Sequence, residues 1–104
     1  MILPRGVAQP AELAKQIKAL APLPPGVVNL RYTVEDDWSG DPAIFFWVTL
    51  SDEAAQRARL GETARGVKDF ITQRLDPAAQ WDLFPHFYFR SQSEQARLKE
   101  EVFG

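Results

Sequence analysis

The chain has 104 residues, with 12 Lys and Arg against 14 Asp and Glu for a net charge of −2, no Cys and a single His. At this size about two-thirds of the unfolded chain's surface is buried on folding, and 45% hydrophobic residues supply one core rather than two. The composition excludes disordered, collagen-like and coiled-coil classes, and a chain without cysteine has no disulfide scaffold, thiolate metal site or cysteine nucleophile.

Met1-Ile2-Leu3 runs straight into Pro4-Arg5, and no apolar run reaches the roughly 18 residues of a membrane span. The expectation is a soluble cytoplasmic protein, a single domain over 1–104, with no membrane partner. Pro10 suits a first helical position, Glu12 the first turn, and Leu13, Ile17 and Leu20 repeat at i, i+4, i+7. This predicts a helix over about 10–20. Three prolines in Ala21-Pro22-Leu23-Pro24-Pro25-Gly26 then make a stiff, extended linker.

From Val27 to Glu35 the apolar period becomes two, with Val28, Leu30, Tyr32 and Val34 on one face. Ala43 to Leu50 repeats the pattern with Ile44, Phe46, Val48 and Leu50, while Phe45 and Trp47 occupy the opposite face. The turn formers of Asp36-Asp37-Trp38-Ser39-Gly40-Asp41-Pro42 join the two strands as an antiparallel hairpin with a long tip. Ser51 is a good N-cap and Asp52 and Glu53 suit a helix start there, with Gly61 and Gly66 predicting an interruption farther on. Asp76-Pro77 opens a short helix to about Trp81, and Pro85 to Arg90 forms a third strand. Ser91-Gln92-Ser93-Glu94 is a capping-box pattern before a charged C-terminal helix.

The order α-β-β-α-(α)-β-α specifies an α+β fold, a single two-layer sandwich whose three-stranded mixed sheet has helices packed on it. A right-handed crossover makes the third strand parallel to the second. Placed beside the first strand, it gives a sheet order of 2-1-3.

Ala64-Arg65-Gly66 inside the central helix, the following Val67 to Leu75, and Pro85-His86-Phe87-Tyr88-Phe89 together resemble ribosome-binding factor A, a bacterial assembly-factor family with a type II KH-like fold. The resemblance covers about Ala11 to Arg90 in element order. It implies an Ala-x-Gly kink in place of a Gly-x-x-Gly loop, and an RNA-facing surface around Ala64 to Gly66. The family's RNA face is basic. This chain departs from it with a net charge of −2 and three aspartates at the hairpin tip.

Four features carry candidate chemistry. Asp36, Asp37 and Asp41 have the donor type for a hard cation such as Mg²⁺, although the calcium-loop spacing is absent, and the bland alternative is a solvated turn. His86 needs a partner to act as a base or ligand, and none is evident in sequence. No Gly-x-Ser-x-Gly elbow or phosphate-binding glycine loop is present. Arg57, Arg65 and Lys68 fall within roughly an 80° sector of one helix and can meet phosphates, though Glu53, Glu62 and Asp69 interleave with them. Finally, Phe45 and Trp47 lie near Arg31, Asn29 and Thr33, an aromatic-plus-arginine sheet face of the kind that stacks bases or anchors proteins. A helix covering that face as a second layer of core is the bland alternative. Trp38, unusual at a loop tip, is either folded back on the core or an interface anchor.

The leading expectation is a non-catalytic module without cofactor, dimeric or bound to a protein partner through Trp38, Phe45, Trp47 and Arg31. The second is an RNA-binding assembly factor using Arg57, Arg65 and Lys68. The third is a divalent-metal-dependent hydrolase built on Asp36, Asp37 and Asp41.

Overall fold

The two runs of period two become strands β1 (Val27–Asp36) and β2 (Pro42–Leu50) of the computed structural model, which describes residues 3–103 and the side chains of residues 3–98. Around them the chain adds α1 (Arg5–Ala8) and α2 (Pro10–Lys18) before the hairpin, then α3 (Arg57–Arg74), α4 (Pro77–Trp81), β3 (Phe84–Ser91) and α5 (Gln92–Phe103). The result is a small α+β domain with one mixed three-stranded sheet. Among the described residues no helix is long and apolar enough to cross a membrane.

β1 and β2 pair antiparallel and β3 runs parallel to β2. The sheet order is β1-β2-β3, not 2-1-3. The physical reason lies in β2, which is apolar on both faces and so gains most from neighbours on both edges. With β3 alongside, Phe46 stacks on Phe87 at 5.2 Å on one face and Trp47 on Tyr88 at 4.6 Å on the other. An edge position would have left these rings half paired.

Period-two alternation sends Ile44, Phe46, Val48 and Leu50 to the helical side, where all four are fully buried against Leu13 of α2, Val67 and Ile71 of α3, Trp81 of α4, and Leu20, Leu75 and Leu83. Each such burial contributes about 1.5–3 kcal/mol. Leu30, Tyr32 and Val34 of β1 pack at the margin of this core. Val28 does not join them as its parity predicts, because the pairing shifts between Val27 and Asn29 and the extra residue turns Val28 outward. Leu23, within the proline-rich connector, also packs on the core.

The long helix begins six residues later than Ser51. Ser51 does act as a cap, but of a turn: its Oγ accepts the Ala54 N–H at 3.1 Å and its carbonyl the Ala55 N–H at 3.0 Å. Asp52 is drawn away from any helix start by Ser93, whose N–H and Oγ–H donate to its carboxylate at 3.0 and 2.6 Å. Those bonds hold the Asp52 carboxyl below its ordinary pKa and tie the turn after β2 to α5. The helix is then continuous through both Gly61 and Gly66. Burial of Val67 and Ile71 offsets the roughly 1 kcal/mol each glycine costs. At the chain's other end the capping box forms, with the Glu94 N–H donating to Ser91 Oγ at 3.1 Å and the Ser91 N–H to Glu94 Oε1 at 3.4 Å. Pro77 opens α4 as expected, yet Asp76 adopts a left-handed backbone (φ +46°) and makes no side-chain cap.

α1, which has no periodic signal, is held by contacts with α4. Arg5 sets its guanidinium 4.2 Å from the Trp81 ring centroid and donates to the Gln80 carbonyl at 3.1 Å. Gly6 is buried beneath Leu83, and a Cβ there would collide with the Leu83 side chain. Gly6→Ala should therefore lower unfolding stability by about 1–3 kcal/mol through overpacking. Gly66→Ala, whose Cβ meets nothing within 4 Å, should raise it by up to about 1 kcal/mol. Urea titration of both variants measures the opposite signs.

Candidate functional site

The face of the sheet turned away from the helices is built in four cross-strand rows: Glu35, Ala43 and Phe84; Thr33, Phe45 and His86; Arg31, Trp47 and Tyr88; Asn29, Thr49 and Arg90. The expected proximity of Phe45 and Trp47 to Arg31, Asn29 and Thr33 is realised. β3 adds a third column that the order 2-1-3 had placed elsewhere. On this face Asn29, Arg31, Thr33, Glu35, Phe84, Tyr88 and Arg90 are exposed, and Gln95 of α5 stands beside its Arg90 end.

The rings form one continuous ribbon. His86 stacks on Phe45 at 4.9 Å and 19°, Tyr88 lies 6.2 Å from Phe45, and Trp47 stacks on Tyr88 at 4.6 Å and 16°. Phe84 and Trp38 flank His86 at 5.3 and 4.9 Å. Offset ring pairs of this spacing add about 0.5–1.5 kcal/mol beyond area burial, so the ribbon is preorganised. Phe45 is thereby buried at its centre, while Tyr88 stays 40% exposed, Phe84 59% and Trp38 79%. Trp38 thus does fold back, onto His86, yet most of its surface remains open.

Asp37 fixes this geometry. Its Oδ1 accepts from the Ser39 Oγ–H at 2.6 Å, the Ser39 N–H at 2.9 Å and the Asp41 N–H at 3.1 Å. Its Oδ2 faces His86 Nε2 at 3.2 Å. An ionised carboxylate only accepts, so His86 Nε2 carries the hydrogen of that bond. The Ser39 hydroxyl above all, then the Asp41 N–H, His86 and the Ser39 N–H, lower the Asp37 carboxyl from its ordinary 3.8 to about 2, against a raising effect of burial. The partner that sequence could not supply for His86 is therefore Asp37, 49 positions away.

Serine, aspartate and histidine meet here in an order that cannot activate a nucleophile. The carboxylate sits between the other two, so the Ser39 hydroxyl donates to an oxygen held at a pKa of about 2 rather than to an imidazole base. The same bonds occupy Asp37 as a ligand, and among the described residues no group of three His, Asp or Glu side chains is placed to hold a metal ion. Of the three hairpin-tip aspartates, Asp37 and Asp41 both approach the Ser39 hydroxyl, at 2.6 and 3.1 Å, while Asp36 takes no part in these contacts.

At the opposite end of the face lies a recess of about 120 Å³, lined by Asn29, Arg31, Trp47, Thr49, Tyr88 and Arg90. It contains two guanidiniums and no carboxylate. The face is thus graded, with Glu35 and Asp37 toward the hairpin tip and Arg31 and Arg90 toward α5.

Arg57, Arg65 and Lys68 are exposed on α3, across the sheet from the ribbon. Among the described residues they form no ion pair. Glu53, which precedes the helix, pairs with Arg59 at 2.8 Å and not with Arg57 four positions on. Phe84 and Tyr88 escaped the sequence analysis as site residues, and His86 entered it only as an isolated histidine, although their alternation with Arg90 along β3 was the available signal. No protein-family model, curated protein or solved structure compared with the chain matches it.

Asp37 stabilises the fold through its ionised form, because its folded pKa lies below its unfolded one. That contribution is complete above pH 3.8 and is lost as pH falls toward about 2. Asp37→Asn should accordingly melt below wild type at neutral pH, with the gap in Tm closing across that acid window. A gap independent of pH would remove the assigned role.

Proposed function

We propose that the chain is a non-catalytic binding module that docks a protein partner on the open sheet face. The observation that supports this most directly is the uncovered ribbon of stacked rings, ending in Trp38 with 79% of its surface exposed. Monomeric surfaces seldom leave contiguous aromatic area bare without a use for it. Trp, Tyr and Arg are also the residue types that dominate interface energetics. Here they are already stacked, so binding loses little side-chain entropy.

Electrostatics favours protein over RNA on this face. The carboxylates of Glu35 and Asp37 stand at one end of it, where a phosphate backbone crossing the whole ribbon would be repelled. A peptide or protein surface of mixed charge meets both ends of the gradient.

The second reading, an RNA-binding assembly factor, draws on the exposed Arg57, Arg65 and Lys68 of the opposite surface, which pair with no acid among the described residues. The two readings use different sides of the molecule and separate cleanly. A partner captured on the wild-type chain and then purified should lose about 2 kcal/mol of affinity, roughly thirtyfold, on Trp38→Ala and on Tyr88→Ala. It should bind Arg65→Glu unchanged. Salt-sensitive RNA binding that Arg65→Glu abolishes and Trp38→Ala leaves intact would overturn the protein reading in favour of the RNA one.

A further inference from the structure

β1 lies at an edge of the sheet, ten residues long with its outer side unpaired and without a proline to blunt it. Its outward backbone groups can be assigned. The Asp37 N–H donates to the Asp41 carbonyl at 2.9 Å, and Pro42, which has no N–H, stands opposite Asp36. Backbone groups in an antiparallel ladder alternate between the two sides. The odd-numbered residues 29 to 35 therefore spend their N–H and C=O on β2, and the even-numbered Leu30, Tyr32 and Val34 present theirs to solvent.

A second copy of the chain can add to this edge about a two-fold axis, which makes the pairing antiparallel. Only even residues can then hydrogen-bond across, so the axis must fall on a residue and not between two. Centred on Arg31, the pairing opposes the two guanidiniums. Centred on Tyr32, it sets Asn29 against Glu35 and leaves Arg31 facing Thr33. Centred on Val34, it sends Arg31 to Asp37, whose oxygens Ser39, Asp41 and His86 already occupy. Centred on Thr33, it places Arg31 opposite Glu35 twice, in the non-hydrogen-bonded positions where side chains approach most closely.

The helical side agrees with the same centre. Tyr32 of each copy falls opposite Val34 of the other, closing two apolar side chains that the monomer leaves half-buried. Beside β1 an open groove of about 690 Å³ runs along α2, with Ile17, Leu23, Leu30 and Tyr32 as its apolar walls and Lys15 and Lys18 on its rim. In this register Asp36 of the second copy lands across from Leu30, next to those two lysines. Glu35 and Asp36 of one β1 thus meet Arg31 and the α2 lysines of the other copy at both ends of the seam.

We infer that this chain dimerises through β1 edge pairing centred on Thr33, giving one continuous six-stranded sheet with both ribbons of rings on the same face. The inference is separable from the partner reading, because it uses the sheet edge, leaves Trp38, Phe84 and Tyr88 uncovered, and shares only Arg31 with it.

Sedimentation equilibrium and light scattering of the full chain test it. The wild type should be dimeric. Arg31→Glu and Glu35→Arg should each weaken the dimer about tenfold or more, and the double reversal should restore it, since the exchanged charges still face each other. Trp47→Ala, outside the seam, should leave the dimer intact whatever it does to a partner. Because the chain has no cysteine, Thr33→Cys gives a check that does not depend on charge variants folding. Under mild oxidation it should form a covalent dimer, since a non-hydrogen-bonded pair brings Cα atoms to about 4.5 Å, within disulfide range. Asn29→Cys, which faces Asp37 rather than itself, should not. A wild type that stays monomeric at millimolar concentration, a dimer lost in Trp47→Ala, failure of the double reversal to restore association, or cross-linking of Asn29→Cys in preference to Thr33→Cys would each overturn the inference.

Discussion

β2 has neighbours on both edges and apolar side chains on both faces, so each of its residues is committed in two directions at once. Along one face Ile44, Phe46, Val48 and Leu50 meet the helices. Along the other Phe45 and Trp47 meet rings donated by β3. A one-residue slip of this strand would exchange the two sets and place aromatic rings shaped for an open face against α2 and α3. Sheet order, the position of the core and the composition of the open face all follow from how β2 is satisfied.

The open face inherits its order from that arrangement. Rings on β2 and β3 share rows, and the long hairpin tip brings Asp37 over His86 at 3.2 Å. Asp37 in turn fastens the turn through Ser39 and Asp41. The polar cluster that most looks like chemistry in one dimension is thus a clamp between the hairpin tip and β3. With the carboxylate between serine and histidine, the proton geometry favours rigidity over reactivity.

Small connections close the rest of the domain. α1 has no amphipathic stripe and exists because Arg5 lies over Trp81 while glycine alone fits beneath Leu83. Asp52 joins the turn after β2 to the start of α5 through Ser93. These contacts link segments about 40 to 80 positions apart, and they act where a short chain cannot supply a second layer of core.

Local chemistry was sufficient for much of the architecture. The 3.6-residue stripe of α2, the period-two runs of β1 and β2, the proline at the start of α4 and the Ser91–Glu94 capping box are all interactions within a few residues, and each formed where its pattern lay. The face shared by Phe45, Trp47 and Arg31 was legible for the same reason, since alternation and a simple hairpin register determine it. The start of α3 was not, because Asp52 answers to Ser93 and not to its own helix. The placement of β3, the partnership of His86 with Asp37 and the ring ribbon were decided only in three dimensions. Each depends on which strand β3 pairs with, and that choice is a competition between whole faces of β1 and β2 for aromatic neighbours, which no local spacing records.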